Sequence, residues 1–197
     1  MKILAINGSP RTNGNTSLVL KDLLAKAEAA GAHISYYDLV NLNIKDCTAC
    51  MKCKKEDCCS QKDDMETLRP LIQEADLLML GSPVYMGDQT GLMKCFIDRL
   101  YTFMGPSEKK GELKSRLAEG KKAMVIFTCQ MPNGNLLYNY IVVRYFNLLV
   151  NMLGYSDIRS YIIGGANPNE DLRNTPQGKS VLDDGGKFVL ESLNGNV

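Results

Sequence analysis

The chain has 197 residues, of which 45% are hydrophobic and 23% charged; this ordinary globular usage excludes wholesale disorder. Its 23 basic and 22 acidic side chains leave a net charge of +1, which makes no electrostatic case for nucleic acid or an anionic membrane surface. No apolar run approaches the ~18 residues of a membrane span, and the apolar run at residues 3–6 is too short for a secretory signal, so one cytoplasmic domain spanning 1–197 is expected.

Residues 2–7 carry Ile3, Leu4, Ala5 and Ile6 in succession, the mark of a strand buried on both faces. Residues 8–15 are rich in turn formers. From Thr16 the spacing becomes helical, with Leu20, Leu23, Leu24 and Ala27 on one side and Gly31 as a stop. Residues 33–38 alternate as a second strand. Residues 39–62 form a polar, cysteine-rich insertion. Asp63 or Asp64 caps a helix through Ala75, in which Pro70 predicts a kink or a late start. Residues 77–80 read as a third strand and 81–91 as a loop. Met93, Phe96, Ile97, Leu100 and Met104 mark the next helix. The lysine-rich stretch 105–121 reads as a surface loop with a short helix, and 123–128 as a fourth strand. Residues 136–153 predict one strongly apolar helix ending at Gly154. It is apolar around more of its circumference than one core contact needs, which predicts a subunit interface. Residues 157–163 give the fifth strand, and a last helix spans roughly 178–193, weakened by Gly185 and Gly186. Five apolar strands alternating with helices specify an α/β domain with a parallel sheet. Right-handed crossovers favour the strand order 2-1-3-4-5.

Such sheets bind ligands beyond the carboxyl ends of their strands. The first such loop, residues 8–17, leads into a helix N-terminus, which attracts anions. Ser9, Asn15, Thr16 and Ser17 surround it with short polar side chains, and Arg11 adds a fork of donors. There is no GxxxxGK[ST] and no GxGxxG, so nucleoside-triphosphate and dinucleotide loops fit poorly. A terminal monophosphate suits the composition, with an ordinary helix cap at Asn15 or Thr16 as the plainer role. The loop after the third strand offers Tyr85 and Met86 as apolar surface and Gly87 for close backbone approach. Together the two loops describe a flavin mononucleotide (FMN) site.

Cysteine is the outlier. Five of the seven lie between Cys47 and Cys59, and only one histidine, His33, accompanies them. The spacing Cys47-x2-Cys50-x2-Cys53, followed by Cys58 and Cys59, can bring four thiolates to one [4Fe–4S] centre. Cys58 and Cys59 both remain candidates for the fourth ligand. A four-thiolate zinc site, a loop of free thiols or a disulfide, and a redox-sensing pair at Cys58 and Cys59 are the alternatives. Cys95 and Cys129 read as packing residues and His33 as a surface residue.

The segments GSPRTNGNTS, CTACMKCKKEDCCSQKDDM, EADLLMLGSPVYMG and KCFIDRL resemble the flavodoxin-like NADPH-dependent FMN reductase superfamily, and its iron–sulfur flavoprotein branch in particular. The resemblance covers roughly residues 1–104. It implies a flavodoxin-like three-layer sandwich, with Ser9, Arg11, Asn15 and Thr16 on the FMN phosphate and Pro83, Val84, Tyr85, Met86 and Gly87 along the flavin ring. It implies further that the loop 129–134, with Gln130, approaches the pyrimidine end. It favours Cys59 as the last cluster ligand and predicts a homodimer or homotetramer. The expected function is an FMN-dependent oxidoreductase that relays electrons between a donor and an acceptor, protein or small molecule, through FMN and the cluster. The alternatives are an NAD(P)H-dependent FMN or quinone reductase without a cluster, and a zinc-binding or redox-sensing interaction protein. No side chain is needed as a chemical catalyst, since the cofactor carries the chemistry.

Overall fold

A computed structural model describes residues 1–167 and 169–194. Five parallel strands form the main sheet in the order β2-β1-β3-β6-β7: β1 (Lys2–Asn7), β2 (His33–Asp38), β3 (Leu77–Pro83), β6 (Lys122–Thr128) and β7 (Asp157–Ile163). Counted within this sheet, that is the order 2-1-3-4-5 of a flavodoxin-like fold. The pleat sends alternate side chains to opposite faces. Leu4, Ile6, Leu78, Leu80, Val125 and Phe127 join one core, with α3 (Met65–Glu74), α4 (Gly91–Arg99) and α6 (Asn139–Phe146). Ile3, Ala5, Leu77, Met79, Met124 and Ile126 join the other, with α1 (Asn15–Ala29) and α7 (Pro176–Asn194). A sheet buried on both faces needs continuous apolar runs, and these strands have them.

Several elements differ from the sequence expectation. Helix α3 runs through Pro70 without interruption. The stretch 105–121 holds no helix; instead β4 (Met104–Pro106) and β5 (Leu113–Ser115) pair as a small antiparallel ribbon. The predicted helix over 136–153 is three pieces: α5 (Gly134–Leu137), α6, and a π-helical turn at Asn147–Met152. Its buried residues Ile141, Tyr145, Leu149 and Leu153 recur every four positions. At 3.6 residues per turn, such a stripe drifts by about 40° per step. The wider π turn takes up that drift and keeps Leu149 and Leu153 on the core. Helix α7 is not broken at Gly185 and Gly186. There it packs on α1, where a Cβ on Gly185 would lie 3.3 Å from Leu23 and one on Gly186 would lie 3.3 Å from Lys26.

Between β2 and α3 the insertion is irregular except for a 3-10 turn at Leu39–Asn41 and the one-turn helix α2 (Lys52–Lys55). Four non-glycine residues among those described have positive φ: Ala49, Met51 and Asp57 in the insertion, and Met86 in the loop after β3. Backbone strain of this kind collects at functional sites.

Candidate functional site

The carboxyl ends of β1, β3, β6 and β7 stand level, with Asn7 beside Gly81 and Thr128 beside Pro83 and Ile163. Above them opens a cleft of about 740 Å³, counting its solvent-filled mouth. Its lining includes Ser9, Arg11, Asn15, Thr16, Pro83, Val84, Tyr85 and Gln130. It also includes Gly14, Thr128, Ala166 and Asn167, which the sequence reading did not single out, and Cys129, which it read as a packing residue at the start of the loop 129–134.

The loop after β1 is built on its own hydrogen bonds. The Ser9 amide donates to Asn7 Oδ1 (3.1 Å), and the Arg11 amide donates to Ser9 Oγ (3.1 Å). Helix α1 starts after Gly14, which has no side chain to cap it, and no acidic residue sits in its first turn. Uncapped amides and an unopposed dipole therefore face the cleft at Asn15 and Thr16. Asn15 is not the cap. Its amide donates to the carbonyls of Asn167 and Glu170 (3.2 and 3.0 Å), and its carbonyl accepts from the Leu172 amide (2.9 Å). It joins the loop after β7 to the loop after β1. Ser17 is fully buried, donates to Gly14 O (2.8 Å) and does not line the cleft. The Thr90 hydroxyl donates to Gly8 O (2.7 Å) and accepts from the Met93 amide (3.2 Å), so the start of α4 holds the loop after β1 from the other side.

After β3, Tyr85 and Asp88 exchange backbone hydrogen bonds (2.8 and 3.1 Å) around Met86 and Gly87, both with positive φ. This is the mirror-image turn that matches strand twist. Tyr140 donates to Gly87 O, and Arg144 pairs with Asp88 and Gln89, strapping the turn onto α6. The guanidinium of Arg144 holds the Asp88 carboxyl below its ordinary range even though burial, the largest influence, pushes it up. Tyr85 is half-exposed at the cleft. Met86 is fully exposed, and neither it nor Gly87 lines the cleft. The third loop comes close because Gly164 has no side chain: a Cβ there would lie 2.3 Å from Pro132 O.

The second site lies at the far end of α4. Cys47, Cys50, Cys53 and Cys59 line one recess with Ser60, Arg99 and Tyr101; Cys58 does not. All seven cysteines are free thiols. The Cys50 thiol meets Ser60 Oγ at 3.1 Å, and this contact lowers its pKa. Arg99 donates to Cys59 Sγ (3.3 Å). Lys54 donates to the carbonyls of Tyr101 and Met104, and Arg116 to that of Cys53. The recess thus gathers four soft donors beside the Arg99 guanidinium, with Asp98 also on its lining. That donor set suits a thiolate-bound iron–sulfur centre, whose four thiolates carry excess negative charge. As the side chains stand, no three His, Cys, Asp or Glu groups among the described residues are close enough together to hold a metal ion. Cys95 is not the packing residue expected from its apolar neighbours. It is partly exposed and donates to Asp46 Oδ1 (2.7 Å), and burial plus that carboxylate push its pKa up to about 11. Cys129 is buried as expected, yet it also lines the cleft.

Arg99 and Thr128 carry the clearest signals that the sequence reading passed over. An arginine inside an otherwise apolar helix face needs a buried partner, and a threonine closing a core strand stands at the binding edge.

Residues 1–158 match the NADPH-dependent FMN reductase family. An iron-sulfur flavoprotein of Archaeoglobus fulgidus is 38% identical over 112 residues, 57% of this chain and 51% of that protein. An iron-sulfur flavoprotein of Clostridioides difficile is 33% identical over 144 residues, 72% of this chain and 60% of that protein. The matched part is thus 51% to 60% of the length of these relatives. An NAD(P)H:quinone oxidoreductase from Methanothermobacter marburgensis has the same fold, with a TM-score of 0.74 at 18% identity over 96% of this chain and 98% of that one. Since the family match covers 158 of the 197 residues, this chain belongs to the NADPH-dependent FMN reductase family.

Proposed function

We propose that the protein is an FMN-dependent oxidoreductase that takes electrons from a reduced donor such as NAD(P)H. It passes them to a protein or small-molecule acceptor, with Cys47, Cys50, Cys53 and Cys59 holding a [4Fe–4S] cluster. The observation that carries the cluster assignment is the opening of these four thiols, and not Cys58, onto one recess. When bound, FMN supplies two-electron acceptance and one-electron release, and the cluster supplies one-electron steps. The chain's own residues bind and orient. Arg11, Ser9 and the uncapped amides of α1 hold the phosphate at the dipole end of the helix. Pro83, Val84 and Tyr85 flank the ring, and the Val84 amide is fixed by its bond to Thr128 O (2.8 Å). Gln130 and the loop around it lie toward the pyrimidine end. Met86 and Gly87 shape the turn that carries Tyr85, and Ser17 braces the loop from within.

Exposed Leu136, Leu137, Tyr140, Val143 and Phe146 form an apolar face on α5 and α6, which we read as the contact between copies in a homodimer or homotetramer. No described helix is long and apolar enough to cross a membrane.

Anaerobic purification tests the proposal. A flavin absorption band with stoichiometric iron and acid-labile sulfide supports it, and colourless protein rejects it. A second reading is an NAD(P)H-dependent FMN or quinone reductase whose cysteine loop is structural. The hydrogen bond between the Cys50 thiol and Ser60 Oγ favours it, since it satisfies that thiol by a protein contact alone. Rapid reduction of bound FMN by NADPH in a variant with all four cysteines replaced by serine would decide for it.

A further inference from the structure

We infer that Arg99, held by Asp63, is the positioning residue of the cysteine recess: it selects Cys59 as the fourth thiolate and sets the charge felt there. This deepens, and rests on, the reading of the recess as a cluster site. Arg99 closes α4, and its side chain is 1% exposed; that of Asp63 is 0% exposed. The two meet through both oxygens, Nη1 to Oδ2 at 2.5 Å and Nη2 to Oδ1 at 3.1 Å. Arg99 Nη1 also donates to Lys45 O (2.8 Å), and Asp63 Oδ2 accepts from the Lys45 amide (3.0 Å). Lys45 stands just before Cys47, and Asp63 just after Cys59. The pair therefore clasps both ends of the cysteine loop to the rigid end of α4.

The clasp leaves donors free for sulfur. Nη2 donates to Cys59 Sγ (3.3 Å), whereas Cys58 lies off the recess, its Sγ 3.9 Å from Glu56 Oε2. Arg99 Nε is buried with no partner, and Arg99 lines the recess. A buried, unsatisfied N–H of a charged group is costly unless something accepts from it, and a sulfur-rich centre held by four thiolates supplies acceptors. Hydrogen bonds and positive charge at the sulfurs of such a centre raise its reduction potential. Asp63 opposes the guanidinium charge from the other side.

Full-length protein, reconstituted anaerobically with iron and sulfide, gives the test. In the wild type, iodoacetamide is expected to label Cys58 and spare Cys47, Cys50, Cys53 and Cys59. Arg99→Leu is expected to expose Cys59 to labelling, to lose bound iron and sulfide, and to shift the remaining centre to lower potential. Asp63→Asn is expected to keep its iron and shift the potential upward. Opposite shifts do not follow from general loosening of the fold. Should Arg99→Leu fail to fold, Arg99→Lys, which keeps the charge without the fork, is expected to give a smaller downward shift. Unshifted potentials, shifts of the same sign, or labelling of Cys59 with protection of Cys58 in the loaded wild type would overturn the inference alone. A wild type that takes up no iron and sulfide would overturn the cluster reading and this inference together.

Discussion

The hydroxyls of Thr16 and Thr128 meet at 2.7 Å, both buried, and join the first turn of α1 to the end of β6. The loop after β1 and the loop after β6 are thereby coupled in the wall of the cleft. Thr128→Val leaves the buried Thr16 hydroxyl without this partner, which costs about 1–3 kcal/mol of stability. FMN affinity is expected to fall roughly five- to thirtyfold as the helix start shifts. Urea unfolding and a flavin fluorescence titration measure the two effects.

Arg11 lines the cleft with an exposed guanidinium. A charge-assisted hydrogen bond contributes about 1.5–3 kcal/mol, so Arg11→Ala is expected to weaken FMN about ten- to hundredfold. Riboflavin, which lacks the phosphate, is expected to bind both proteins alike. An equal loss for riboflavin would move Arg11 away from the phosphate.

Cys58 and Cys59 are adjacent in sequence, but only Cys59 lines the recess. Cys58→Ser is expected to retain the iron of the anaerobically purified protein. Cys59→Ser is expected to lose most of it, with FMN content unchanged in both. Iron and flavin assays on the same preparations decide, and the reverse pattern would make Cys58 the ligand.

Burial, the largest influence on Asp63, raises its pKa, but the hydrogen bonds from Arg99 and the Lys45 amide and the Arg99 charge outweigh it. The folded value lies below the unfolded one of about 3.9. The stability it contributes is therefore complete above that pH and is lost as pH falls through the lower folded value. Thermal unfolding of the wild type is expected to drop below about pH 4 more steeply than that of Asp63→Asn. At neutral pH, Asp63→Ala is expected to cost about 3–5 kcal/mol, because it strands a buried guanidinium. Equal pH profiles for wild type and Asp63→Asn would contradict this account.

Strand order and layer arrangement were legible in the sequence because burial on both faces leaves unbroken runs such as Ile3 to Ile6 and Leu77 to Leu80. The two loops at the strand ends were legible for the same reason: once the strands are known, their carboxyl ends follow. The breaks in 134–153 were hidden because each residue there is helix-compatible. The π turn answers the drift of a four-residue stripe over a fixed sheet, a demand no local window contains. Nor did the sequence reveal the ribbon of β4 and β5, whose strands pair only three residues each.

Cysteine type and spacing by themselves pointed the insertion toward thiolate chemistry, and the polar loop before the helical spacing from Thr16 pointed toward an anion; the start of that helix right after Gly14 came from the structure. Spacing left Cys58 and Cys59 open and the family resemblance favoured Cys59; that only Cys59 lines the recess, and the buried pair beside it, belonged to the tertiary structure. Cys58 and Cys59 are equivalent to any spacing rule. In the fold they differ: Arg99, forty residues from Cys59 along the chain and buried against Asp63, donates to Cys59 Sγ, whereas Cys58 lies off the recess.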